Sequence, residues 1–378
     1  MPDALSRRGG DVVFLTNGNL NGRVIRLVAD HAQETSGLRA TLLSFAPLTP
    51  WPEQQGSPHR VEPRLVDLAE AERRIASARA FVYAPSPFAD HPRLVRLARR
   101  LGVPSVAIVA DVGWGETKLD PAEPSGLPDR VCVADHVTEE LMLRRGVPER
   151  ILRRTGSPHL DGTVQRTPLP PPAAPGRRVG ALVNPVLDLR APVRPAPRPE
   201  LEVVRGIERA VAGLPGVSLT LRLHPRLDPR CASDLPGAAL DPLEPRRPFE
   251  EFVADQHRVV GSHSTGLLVA RMLGRPAASF QPEAGAAIRA ELFAAWGIPI
   301  LTRPEDRRSW LLAPDEAVAP PLRIEELLFR PGRSLEAIAE VVGEVLSGTE
   351  EPDAVPRPAV RPGGLRKGEP TRESIDTG

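Results

Sequence analysis

Three passages place reactive side chains directly after apolar runs, where a strand would end and present its last residues to solvent. The first is Leu221-Arg222-Leu223-His224-Pro225-Arg226. Proline cannot extend a strand ladder and restricts the residue before it, so His224 is held at the exit of the run. An imidazole there can donate to a phosphate oxygen or serve as an acid near neutrality. Arg222, two residues earlier, shares the strand face of His224 and would add a guanidinium. The plainer role is a histidine capping a strand end. The second passage, Arg258-Val259-Val260-Gly261-Ser262-His263-Ser264-Thr265-Gly266, leads from an apolar run into a helical pattern. Amides at a helix start attract anions, and Ser262, Ser264 and Thr265 add hydroxyls around His263. Capping alone would need one hydroxyl rather than three. The third is Ile108-Val109-Ala110-Asp111-Val112-Gly113-Trp114-Gly115-Glu116. Asp111 could take a proton from an attacking hydroxyl, with Glu116 the weaker base, and the flanking glycines let backbone approach a ligand. A turn-capping aspartate is the plainer reading.

Short apolar runs alternating with amphipathic segments must position these residues. Strands are predicted at Val12–Leu15, Thr41–Phe45, Ala80–Ala84, Ser105–Ala110 and Arg130–Val133, with helices over 23–33, 66–77, 91–101 and 138–145. This is the pattern of βαβ units around a parallel sheet buried on both faces. Stacked prolines at 167–177 then favour an extended, semi-rigid spacer. A second alternating set follows, with strands at 179–183, 217–223, 258–260, 277–280 and 299–301. Its helices fall at 200–212, 249–254, 266–273, 284–296 and 334–346. The expected division is a flexible lead-in over 1–10, a first domain over 11–166, the linker 167–177, a second domain over 178–346 and a disordered tail over 347–378. The fold class is α/β, two doubly wound Rossmann-like domains facing across a cleft. Such folds bind ligands beyond the carboxyl ends of their strands, where all three passages lie. Two softer features share that location: the turn-rich Thr16–Gly22, and Thr155-Gly156-Ser157-Pro158-His159-Leu160-Asp161, where Gly and Pro serve a chain turn and His159 is secondary.

Ser262-His263-Ser264-Thr265-Gly266 resembles a nucleophile elbow that has lost its first glycine. An α/β-hydrolase needs a later acid and then a histidine, and no histidine follows His263. Three other passages resemble the two-domain GT-B glycosyltransferases, most closely the bacterial polysialyltransferase-type enzymes and the glycerophosphotransferases of teichoic-acid synthesis. They are Leu127–Asp161 with its Thr-Gly-Ser-Pro ending, Arg222-Leu223-His224-Pro225, and the Ser262–Thr265 cluster followed by Arg275-Pro276. The resemblance implies that Arg222, His224, Ser262, His263, Ser264 and Thr265 face the donor phosphates in a donor-nucleotide domain. It implies Asp111 as the base of an acceptor domain, and a last helix that returns to that first domain. One departure is the absence of a histidine beside Asp111 and Trp114, which favours sugar over glycerophosphate transfer. The expected activity is a metal-independent glycosyltransferase of surface polysaccharide or glycoconjugate synthesis, using a nucleotide-activated sugar and a glycan or lipid-linked acceptor, with no cofactor. A nucleotide-sugar 2-epimerase is the alternative, but Leu267-Leu268-Val269-Ala270 stands where such enzymes place an acidic pair. A non-catalytic nucleotide-sugar-binding relative is the third reading.

Composition narrows these classes. The 378 residues are 41% hydrophobic and 26% charged, enough for two cores. The 49 basic and 48 acidic side chains leave a net charge of +1, which argues against a dedicated nucleic-acid binder. With 45 prolines and only Lys118 and Lys367 as lysines, the arginine excess reads as a GC-rich coding bias. Cys132 and Cys231 fit neither a disulfide framework nor a metal site, which points to a reducing cytoplasm. No apolar run reaches membrane-spanning length, leaving peripheral contact as the expected membrane relation.

Overall fold

The computed structural model describes residues 10–17, 19–47, 61–86, 90–109, 119–164, 169–170, 172, 176–184, 199–224, 227, 238–242, 247–281, 290–318, 322 and 324–348. All of these fall in one compact unit. Its first half runs β1 (Val12–Thr16), α1 (Asn19–Ser36), β2 (Ala40–Ser44), β3 (Arg64–Leu65), α2 (Leu68–Ala76), β4 (Ala80–Tyr83), α3 (His91–Arg100), β5 (Ser105–Val109), β6 (Arg130–Val133), α4 (His136–Arg144), β7 (Leu152–Arg154) and α5 (Pro158–Val164). The second runs β8 (Arg177–Val183), α6 (Pro199–Val211), β9 (Val217–Leu223), β10 (Ala238–Leu240), α7 (Phe249–Ala254), β11 (Arg258–Gly261), α8 (Gly266–Met272), β12 (Ala277–Phe280), α9 (Ala290–Ala295), β13 (Ile300–Leu301), α10 (Pro304–Leu312), α11 (Asp315–Val318), α12 (Ile324–Leu327) and α13 (Ser334–Ser347).

The strands form two wholly parallel sheets, in the orders β3-β2-β1-β4-β5-β6-β7 and β10-β9-β8-β11-β12-β13. Each winds outward in both directions from its first strand, so each has a switch point, at β1/β4 and at β8/β11. β1, β4, β5 and β11 are buried along their whole length, which is why their sequences are near-continuous apolar runs rather than alternating ones. Aspartates start the helices between them. Asp67, Asp90 and Asp135 accept from the backbone N–H of Glu70, Arg93 and Thr138. Asp135 also explains why α4 begins two residues before its predicted start.

The Pro-rich stretch is tied to the second sheet. Leu169 N–H donates to the Leu273 carbonyl at 3.1 Å, and buried Arg275 donates to the carbonyls of Leu169 and Pro170. Past β13 the chain turns back. Ile338, Val341, Val342 and Val345 of α13 share a core with Val12, Phe14, Val82, Val106 and Ile108 of the first sheet. Glu344 secures this return by accepting from Arg130 at 2.8 Å and Arg153 at 3.0 Å. That is the placement the family resemblance implies for the last helix.

Candidate functional site at the second switch point

β8 lies between β9 and β11, with Leu182 paired to Arg222 on one side and to Gly261 on the other. His224 is latched just past β9, its N–H donating to the Val183 carbonyl at 2.8 Å. Ser262 leaves β11 at the corresponding level. His224 and the hydroxyl loop therefore flank Asn184 across two strand spacings, about 10 Å. His224, Asn184, Ser264 and Thr265 are all partly exposed there.

The loop from Ser262 to Gly266 is built in two layers. Ser262 and His263 are buried, with the Ser262 hydroxyl 2.7 Å from His263 Nδ1. Behind them the Ser262 carbonyl accepts from the Ser279 hydroxyl and from Gln281 Nε2, while Gln281 also donates to Ser279 at 2.8 Å. The outer layer is Ser264 and Thr265. Ser264 Oγ accepts the Gly266 N–H at 3.1 Å, which leaves its own O–H to donate outward. Thr265 precedes α8 in helical geometry and its hydroxyl makes no capping bond. The loop lies close against its support: a Cβ on Gly266 would lie 2.7 Å from Leu182 Cδ1 and 2.9 Å from Phe249 Cζ.

Arg222 has a different setting from the one its spacing predicts. The residue is 7% exposed, and its guanidinium pairs with Asp241 Oδ2 at 2.6 Å and donates to the Arg247 carbonyl at 2.9 Å. It lies against the rings of Phe249 and Phe252, about 5.4 and 5.3 Å from their centroids. Arg247 shares Asp241, at 2.5 Å, and pairs with Asp255. The arginine two residues before His224 is thus a buried member of an ion network that braces β9, β10 and α7. Phe249 joins that network to Gly266 and the hydroxyl loop.

Asp111, Gly113, Trp114, Gly115 and Glu116 lie outside the described residues. β5, which leads to them, sits beside β4. Around the β1/β4 switch point the described polar groups include Asn17, which donates to the Ser86 hydroxyl at 2.5 Å, and His91, whose Nδ1 accepts the Ser86 N–H at 3.2 Å. Sequence reasoning took in Asn17 only within the turn-rich Thr16–Gly22 and passed over Ser86 and Asn184. Their one signal is a polar residue directly after an apolar run. His159 is the second residue of α5, a helix that the sequence reading leaves as a turn. Burial and the neighbouring Arg23 charge hold its imidazole down to about 4.

Solved structures share this fold at low identity. Staphylococcus aureus MnaA in complex with UDP matches with a TM-score of 0.62 and 12% identity, over 91% of this chain and 99% of that one. The Neisseria meningitidis UDP-GlcNAc 2-epimerase bound to UDP-GlcNAc gives 0.54 and 11%, over 90% and 100%. A variant of the wall teichoic acid polymerase TagF gives 0.56 and 12%, over 90% of each chain. The fold is therefore GT-B-like: α/β, with two doubly wound parallel sheets. No protein-family model and no curated protein sequence matches the chain.

Proposed function

We propose that the protein is a glycosyltransferase that binds a nucleotide-activated sugar at the carboxyl edge of β8, β9 and β11. One observation carries this reading: His224 and the Ser264–Thr265 hydroxyls flank the switch point of a doubly wound sheet, where such folds hold ligands. His224, Ser264 and Thr265 would donate to the donor phosphates and offset the charge that develops on the leaving group. Ser262 and His263 would set the loop, and Arg222 would act through the Asp241 network that holds β9 and Phe249 in place. Asp111, two residues past β5 in sequence, would deprotonate the acceptor hydroxyl, which belongs to a glycan or lipid-linked molecule. No step in this scheme is assigned to a metal.

The test is a thermal-shift panel of CMP, CDP, UDP, GDP and dTDP without metal, on the wild type and on His224→Ala. A ligand at 100 times its dissociation constant adds about 2.7 kcal/mol. One nucleotide should stabilise the wild type and not the variant. Equal stabilisation of both proteins would remove His224 from the site.

The shared fold with a UDP-GlcNAc 2-epimerase favours a second reading, epimerisation of a nucleotide sugar. Leu267, Leu268, Val269 and Ala270 are buried core and supply no carboxylate after the hydroxyl loop. Proton NMR of the bound nucleotide's sugar conjugates, incubated without acceptor, separates the two readings. An epimer appearing at the sugar's C2 would decide for the isomerase.

A further inference from the structure

We infer that Ser279 and Gln281 are positioning residues: they hold the Ser262 carbonyl from beneath and so set where the Ser264 and Thr265 hydroxyls stand at the switch point. This role rests on the reading of that loop as the donor-phosphate site.

β12 is buried along its whole length, and a strand covered on both faces is served by apolar residues. Ala277, Ala278 and Phe280 fit that rule. Ser279, fully buried, and Gln281, 3% exposed directly past the strand, depart from it. By alternation they share the strand face of Ala277, which packs in one apolar cluster with Leu267 and Leu268 of α8. That face is the floor under the hydroxyl loop. Pairing within the sheet does not need these side chains, because the backbone N–H groups of Ser279 and Gln281 donate to the Pro299 and Leu301 carbonyls at 2.9 and 3.2 Å.

The side chains converge on one acceptor instead. Gln281 Nε2 donates to the Ser279 hydroxyl at 2.8 Å, and that hydroxyl donates to the Ser262 carbonyl, which Gln281 Nε2 also approaches at 3.4 Å. A hydroxyl that accepts one hydrogen bond while donating another is fixed in direction. The far end is anchored by Arg307 of α10, 9% exposed. It donates to the Gln281 carbonyl, to the Thr302 carbonyl at 2.7 Å and through Nε to the Leu301 carbonyl at 3.1 Å. A polar thread thus runs from α10 through the exit of β12 to the Ser262 carbonyl. Ser262 is where the chain bends out of β11. A peptide unit is planar and stiff, so fixing the Ser262 carbonyl also fixes the plane from which His263 and the two outer hydroxyls depart. Groups that meet a ligand must be held within about 0.5 Å, and packing against buried neighbours supplies that precision.

The experiment compares the full chain as wild type, Ser279→Ala, Gln281→Met and the double variant. Val106→Ala, a truncation in the buried core of β5, is the control for general destabilisation. Amide hydrogen exchange is read on residues 262–266 and on β8 of each protein. In the double variant the loop should exchange about tenfold faster, as loss of one hydrogen bond implies, with β8 at its wild-type rate. CMP, CDP, UDP, GDP and dTDP are then titrated without metal. The nucleotide that stabilises the wild type should bind the double variant about tenfold more weakly and Val106→Ala equally well. Ser279→Ala should give most of both effects, because Gln281 reaches the carbonyl only at 3.4 Å. Unchanged loop exchange, loop and β8 accelerating together, or an affinity that falls no further than in Val106→Ala overturns this inference and leaves the donor reading standing. A wild type that none of the five nucleotides stabilises overturns the donor reading, and this role with it.

Discussion

Gly266 decides how closely the hydroxyl loop can sit on the second sheet. Leu182 and Phe249 occupy the space a side chain would need there, and both belong to elements that carry the site. Gly266→Ala should cost about 1–3 kcal/mol through overpacking. It should also lower nucleotide affinity more than an equally destabilising change in the first sheet, which paired denaturation and thermal-shift curves would show. Unchanged stability would mean that the loop stands off Phe249. Cys132 gives a second check at this scale. Burial pushes its thiol up to about 12, so it stays protonated and sealed at neutral pH. In a Cys231→Ser variant the remaining thiol should react with a disulfide reagent only as fast as the protein unfolds. Rapid stoichiometric reaction of the native variant would contradict the packing of β6. His224, Ser264 and Thr265 were legible in the sequence because a strand exit is a local pattern: an apolar run, then a polar residue, then a proline or glycine. The setting of Arg222 was not, because its partner Asp241, nineteen positions away, directly follows the three-residue strand β10.

Among elements, the ion network under β9 bears most directly on the site. Asp241 is 2% exposed and holds Arg222 and Arg247 together. Removing one member of a buried pair leaves the other charge without compensation, typically at 3–5 kcal/mol. Asp241→Ala should therefore lower the unfolding free energy by about that amount. The double change Asp241→Ala with Arg222→Met should recover much of it, because the stranded charge is gone. If the single variant were as stable as the wild type, Arg222 would have another buried counter-charge. The long apolar strands were readable because a strand covered on both faces needs apolar residues throughout, and α6, α7, α8 and α13 followed from their spacing. The shorter elements were not. β7 is Leu152-Arg153-Arg154, which looks like a polar loop until Glu344, 191 residues beyond Arg153, supplies the counter-charge. α5 was hidden by Gly156, Pro158 and Gly162, residues that usually mark a turn. α10 carries five charged or polar side chains among nine, yet buries Arg307, Trp310 and Leu311. Tertiary partners, not local propensity, decide these segments.

At the scale of the whole molecule, the chain crosses between its sheets twice. The outward crossing carries the Pro-rich stretch held by Arg275, and the return ends in α13 on the first sheet. The return closes the first core with residues that follow the second sheet in sequence, so neither half completes its packing without the rest of the chain. Glu344 makes this closure sensitive to acid. Burial works to raise its pKa, but the hydrogen bonds and charges of Arg153 and Arg130 outweigh that and hold the carboxyl below 4.5. A lowered carboxyl contributes stability that is present above 4.5 and lost as the pH falls through the lowered value. Asp161 of α5, which accepts from the start of α13, runs the other way. Burial outweighs its hydrogen bonds to Ser334 and Gly332 and raises it above 3.8, so its contribution is lost as the pH rises through the raised value. The two are separated by comparing wild type with Glu344→Gln, in which Asp161 is common to both. At pH 7 the variant should be less stable by about 1 kcal/mol, the upper range for an ion pair that is not fully buried. The gap should close as the pH falls below 4.5 and the wild-type carboxyl takes up its proton. A gap constant from pH 7 to pH 3 would show that α13 is held by its apolar face alone, with Arg130 and Arg153 contributing no charge-dependent stability.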